Sequence, residues 1–151
     1  MMRHLREALT PRAGRDEPLA LLLTRYVSED NRGVVVGVRV HPFPDEAYVE
    51  GPDGANFGVP WLMDFLDKAA EQNAGALLCH AHGHYGKPGF SETDRRTNSL
   101  VMAKQRLFNE SLPYGAMVVS LDESLAVVSG AAGLREFEVM TMVGYEVIER
   151  A

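Results

Sequence analysis

Apolar residues fall along this chain in runs whose spacing changes from one stretch to the next. Leu5, Ala8 and Leu9 share one side of a short helix predicted over residues 2–10, which Pro11 and Gly14 end. Residues 19–27 open on an unbroken Leu-Ala-Leu-Leu-Leu run, the pattern of a strand buried on both faces rather than one. Asp30-Asn31-Arg32-Gly33 is a hairpin signal, and the valine-rich residues 34–40 read as the antiparallel partner strand. His41-Pro42-Phe43-Pro44 should break that strand, because proline has no N–H for the ladder. Residues 47–49 offer a short third strand.

Residues 51–58 form a loop around Pro52-Asp53-Gly54. Pro60 suits the first turn of a helix. Trp61, Leu62, Phe65, Leu66 and Ala69 then recur at helical spacing, with Asp64, Asp67, Lys68 and Glu71 between them, until Asn73 and Gly75. Residues 76–82 read as a central strand, followed by a loop with Gly83, Gly86, Pro88 and Gly89. Ser91 is an N-cap candidate and Asp94, three residues on, nearly completes a capping box. The helix it opens is expected to reach Asn109, with Leu100, Val101, Leu107 and Phe108 facing inward, and Pro113 stops it. Residues 114–121 are a strand, Asp122-Glu123 a turn and 125–128 the returning strand. A flexible connection at 130–133 leads to one or two last strands within 136–148. The order predicts one domain over residues 1–151 of α+β class, a mixed, mostly antiparallel sheet flanked by helices.

Composition narrows the function classes. At 151 residues and 46% hydrophobic, the chain can bury a sizeable core. A formal charge of -6 argues against nucleic acid as the main partner. The single cysteine, Cys79, excludes an intrachain disulfide framework and suits a reducing compartment. With no signal-peptide-like start and no apolar run of transmembrane length, a cytoplasmic protein that avoids membranes is expected.

The candidate chemistry lies in residues 77–94. His80 and His82 stand at i and i+2 on a strand and therefore share a face. A carboxylate on the next element, Asp94, can close a triangle with them. Two imidazoles and one carboxylate form a ligand set that leaves one position of a tetrahedral zinc open, as in hydrolytic sites. Singly, a buried histidine, a carboxylate in a first helical turn or a capping serine is unremarkable. The combination His-x-His, glycine loop, Ser-x-x-Asp is what is specific. Cys79 reads as a small buried hydrophobe, His41 as structural, His4, Arg95 and Arg96 as surface, and Trp61, Phe65 and Leu66 as core.

This combination resembles the JAMM motif of the JAB/MPN/Mov34 metalloprotease family, His-x-His, about seven residues, then Ser-x-x-Asp. That motif is preceded far upstream by a Glu-x-x-Gly-Leu-Leu-like segment. Glu17-Pro18-Leu19-Ala20-Leu21-Leu22-Leu23 is similar to that segment, with Ala20 where glycine is common. The element order is similar over nearly the whole chain, and Phe90-Ser91-Glu92-Thr93-Asp94-Arg95-Arg96 most resembles bacterial members. The spacing departs from the motif: eight residues, 83–90, separate His82 from Ser91, and Gly83 stands where proline often follows the second histidine. Pairing His82 with His84 instead leaves six. The strand leading directly into His80 favours His80 and His82, with His84 as a loop histidine or a substitute ligand.

The resemblance implies an MPN/JAB-like fold with cytidine-deaminase-like layering and one zinc ion per chain, held by His80, His82 and Asp94. It implies Glu17 as general base and Ser91 as hydrogen-bond donor to the oxyanion. The implied activity is that of a zinc-dependent isopeptidase or peptidase, deubiquitinase-like, acting at the C-terminus of a ubiquitin-like protein. E1-like and E2-like proteins of a bacterial conjugation or antiphage defence system are the implied partners. A peptidase that trims sulfur-carrier proteins and a non-catalytic MPN scaffold are the alternatives. An extended substrate tail is expected to pair with a strand edge near residues 46–49.

Overall fold

The computed structural model describes residues 2–10, 18–29, 32–49, 56–105, 107, 109, 111–130 and 133–137. The elements in chain order are α1 (Met2–Ala8), β1 (Leu19–Glu29), β2 (Arg32–Pro42), a 3-10 turn (Asp45–Ala47), β3 (Tyr48–Val49) and β4 (Asn56–Phe57). Then come α2 (Val59–Glu71), β5 (Gly75–Ala81), α3 (Glu92–Gln105), β6 (Tyr114–Val119), β7 (Ser124–Gly130) and β8 (Gly133–Phe137). Six strands form one sheet in the order β2-β1-β5-β6-β7-β8, and β3 pairs with β4 apart from it. Only β5 and β6 run parallel among these neighbours, joined by α3 as the crossover that a parallel pair requires. The fold is the mixed, mostly antiparallel α+β arrangement that the hydrophobic pattern predicts.

The period-two alternation of the central strands sorts their side chains into two cores. Leu77 and Cys79 of β5, Ala20 and Leu22 of β1, and Met117 and Val119 of β6 pack with Leu5 and Leu9 of α1. Ala76 and Leu78, with Leu19, Leu21 and Tyr114, pack on the other side under Leu62 and Leu66 of α2 and Val101 of α3. Both faces of β5 and β6 are covered, so their sequences are continuous apolar runs. Gly115 of β6 is needed for close strand approach, since a Cβ there would lie 1.9 Å from the Val127 carbonyl oxygen. Trp61 and Phe65 stack at 5.7 Å between ring centroids, and Phe43 meets Trp61 edge-on at 4.5 Å, a core arrangement.

Helix ends follow local chemistry. Asn73, at φ 53°, closes α2 in a left-handed turn, with Ala74 N–H donating to Ala69 C=O and Asn73 N–H to Ala70 C=O. At α3 the predicted boundary is too long. The helix ends at Gln105 rather than Asn109, and Leu107, expected to face inward, is 82% exposed because it follows the last helical turn. Phe108 and the side chain of Leu100 lie outside the described residues. The strand β2 continues through His41 and Pro42 instead of breaking before them. It is an edge strand and Pro42 is its last residue, where a missing donor costs nothing. Gly130 and Gly133, within the expected connection, pair as the last residue of β7 and the first of β8, and residues 131–132 lie outside the described residues. The predicted strands beyond Phe137, and Asp30 and Asn31 of the first hairpin, lie outside the described residues. No helix among the described residues is long and apolar enough to cross a membrane.

Candidate metal centre

Three elements bring the candidate ligands together. His80 sits near the carboxyl end of β5 on the face of Ala76 and Leu78, opposite Cys79. It is 6% exposed. His82 follows one residue after β5 ends, and its N–H donates to Val119 C=O at 2.8 Å, which extends the β5–β6 ladder and keeps both histidines on one side. Asp94 lies in the first turn of α3, where its negative charge meets the positive end of the helix dipole. The carboxyl end of a parallel strand facing a helix N-terminus is a recurrent position for ligand sites.

The Nε2 atoms of His80 and His82 are 3.2 Å apart, and His80 Nε2 is 3.4 Å from Asp94 Oδ1. One ligand atom from each of the three residues lies within 4.8 Å of the others, close enough to hold a metal ion. Ligand atoms about 2.05 Å from a tetrahedral zinc are separated by about 3.3 Å, which the two His80 edges match, while the His82–Asp94 edge lies within 4.8 Å. Phe90 packs 6.3 Å from the His80 ring and closes the apolar side of the site.

Ser91 and Asp94 are locked to each other. The Ser91 N–H and hydroxyl donate to Asp94 Oδ2 at 2.8 and 2.7 Å, and the Asp94 N–H donates to Ser91 Oγ at 3.1 Å. This reciprocal capping box satisfies free N–H groups of α3 and leaves Oδ1 turned to His80. His84 is exposed, with its Nδ1 3.0 Å from the Tyr85 carbonyl, and stands outside the three-residue cluster.

Glu17 lies outside the described residues. Leu19, two residues further on, is described: it pairs with His80, and its N–H donates to the Tyr48 hydroxyl at 2.8 Å. Tyr48 thus fastens the start of β1 beside the candidate ligands, a role that its place in a short apolar stretch does not announce. Asp122, read from the sequence as a turn residue, accepts the Gly86 N–H at 2.8 Å and so reaches the histidine loop.

Cys79 points into the opposite core, and full burial pushes its thiol up to about 12. That excludes a ready thiolate beside His80. His41 lies edge-on to Phe65, and burial together with the Arg39 charge lowers its pKa, in keeping with a structural histidine. A separate cleft between α1 and β2, lined by His4, Glu7, Val38, Arg39, Val40 and Pro42, opens on the side of the sheet away from His80.

Compared with protein-family models, curated proteins and solved structures, the chain gave no match.

Proposed function

We propose that this chain is a zinc-dependent peptidase or isopeptidase of the JAB/MPN/Mov34 type, acting at the C-terminal tail of a ubiquitin-like protein. The observation that carries this reading is the convergence of His80, His82 and Asp94 at the end of β5, with Ser91 bound to the third of them. Two neutral nitrogen ligands and one carboxylate suit zinc and leave room for a reactant. A zinc ion held there supplies Lewis acidity, both to a water and to the scissile carbonyl.

The chain's own residues have distinct tasks in this reading. Glu17 accepts the proton of the attacking water and returns it to the leaving amine. Leu19, two residues after Glu17 in the chain, pairs with His80, and two residues of chain span at most about 7 Å. Ser91 donates its hydroxyl proton to the carbonyl oxygen as charge develops, exchanging Asp94 Oδ2 for that acceptor. The buried wall of Phe90, Val118 and Leu125 limits water on one side. An extended tail pairs along the short strand Tyr48–Val49, whose partner among the described residues is Asn56–Phe57. Bacterial conjugation or antiphage systems with E1-like and E2-like proteins are the proposed setting.

The test is cleavage of ubiquitin-like fusions by the zinc-loaded protein, followed by intact mass, with wild type beside Glu17→Ala. Expected is release after the terminal residue of the ubiquitin-like unit. In Glu17→Ala, zinc content is retained and the rate falls by about 10²–10⁴. Zinc stoichiometry near zero in metal-replete wild type would end the metal reading. Equal cleavage by both proteins would remove Glu17 from the chemistry.

A further inference from the structure

The loop between His82 and Ser91 has eight residues, three of them glycines. Pro88 and Phe90 bury their side chains at its far end, but Cβ atoms built at Gly83, Gly86 and Gly89 would meet nothing within 4 Å, so no side chain packs at those three positions. Glycines without packed neighbours lose much conformational entropy when ordered. Yet this segment must present His82 to within a fraction of an ångström if three ligand atoms are to meet.

Among the described residues, hydrogen bonds fasten it to the end of β6 and the turn before β7. His82 N–H donates to Val119 C=O at 2.8 Å, and Leu121 N–H donates to His84 C=O at 3.0 Å. A third runs from Gly86 N–H to Asp122 Oδ1 at 2.8 Å, where Gly86 adopts φ 88°. The first two use only main-chain atoms, whereas the third depends on one side chain. That side chain is itself held: Ser120 Oγ donates to Asp122 Oδ1 at 3.0 Å and accepts Glu123 N–H at 2.9 Å. Ser120 is buried, which anchors the arrangement to the sheet.

We propose that Asp122 is a positioning residue for the metal centre, a tether that holds the histidine loop through Gly86 and keeps His82 in register with His80 and Asp94. This rests on the reading of those three residues as metal ligands.

The test measures zinc affinity by competition with a chromophoric chelator, at a temperature well below unfolding, for wild type, Asp122→Ala and Asp122→Asn. Melting of the three metal-free proteins is recorded alongside. Asp122→Ala is expected to bind zinc about tenfold more weakly, the lower end of what loss of a supporting partner costs a metal site. Asp122→Asn is expected to stay close to wild type, because its amide oxygen can accept the same Gly86 N–H. Asp122 is exposed, so truncation leaves no internal hole, and Asp122→Ser replaces alanine should that variant fail to fold. Equal affinity in wild type and Asp122→Ala overturns the tether while leaving the metal site standing. Asparagine as weak as alanine also overturns it, since charge rather than the hydrogen bond would then be at work. A wild type that takes up no zinc overturns both readings together.

Discussion

The Nε2 atoms of His80 and His82 face each other at 3.2 Å, and a carboxylate oxygen of Asp94 stands 3.4 Å from the first. Three groups with lone pairs at this spacing call for a shared proton or a cation. Zinc is therefore expected to stabilise the fold as well as serve its chemistry. At a free concentration 100 times its dissociation constant, the gain is about 2.7 kcal/mol, or roughly 5–10 °C in Tm for a domain of this size. Calorimetry with added zinc, against the same protein with chelator, should show that shift in wild type. His82→Ala should lose it. A wild-type Tm indifferent to zinc would remove the metal assignment.

Ser91 caps α3, and the oxyanion role proposed for it can be separated from that cap by a single substitution. Its oxygen accepts the Asp94 N–H, and its hydroxyl donates to the Asp94 carboxylate. Ser91→Ala should cost about 1 kcal/mol of stability as a lost cap. At saturating zinc it should still lower cleavage by about 10²–10³, the usual penalty for removing an oxyanion donor. If saturating zinc restores the full rate, Ser91 is a cap and nothing more.

The legible parts of this molecule are those set by near neighbours. The i, i+2 spacing put His80 and His82 on one face, and a three-residue spacing announced the Ser91–Asp94 box. Asn73 marked the end of α2, and valine-rich residues marked β2. Long-range pairings were harder to read. Nothing local in Leu19 signals that it will lie beside His80, some sixty positions away, because the sheet order β2-β1-β5-β6 is decided by packing of whole strands. Asp122 escaped for a related reason: it acts on a backbone N–H 36 residues distant, and a backbone donor carries no residue signature. The end of α3 was overrun because no glycine stops it near Gln105.

Cys79 gives a prediction about reactivity. Its thiol is fully buried in the α1 core, with burial pushing its pKa up to about 12. In native protein at pH 8 it should resist a thiol-specific reagent for as long as the fold persists, and react once denaturant is added. Cys79→Ala should leave cleavage unchanged, at a modest cost in stability. Fast stoichiometric labelling of the native state, with loss of activity, would contradict both the buried placement and the metal-based reading of the site.

Asp122 links stability to pH in a defined direction. The Gly86 N–H, chiefly, with the Ser120 hydroxyl adding to it, holds this carboxyl below the ordinary aspartate range. The folded pKa thus lies below the unfolded value of about 3.9. A group shifted this way contributes stability that is complete above the unfolded pKa and disappears as pH falls through the folded one. Asp122→Asn keeps a hydrogen-bond acceptor but has no charge to titrate. In chelator-treated protein, wild type should therefore melt above Asp122→Asn from pH 5 to pH 7, by a margin kept small by the exposure of the group. The margin should shrink as the pH is taken below about 4, while carboxyl groups common to both proteins cancel in the comparison. A margin that stays constant down to pH 2 would show that the Asp122 charge is not coupled to the Gly86 N–H, and the charge-assisted part of the tether would fall with it.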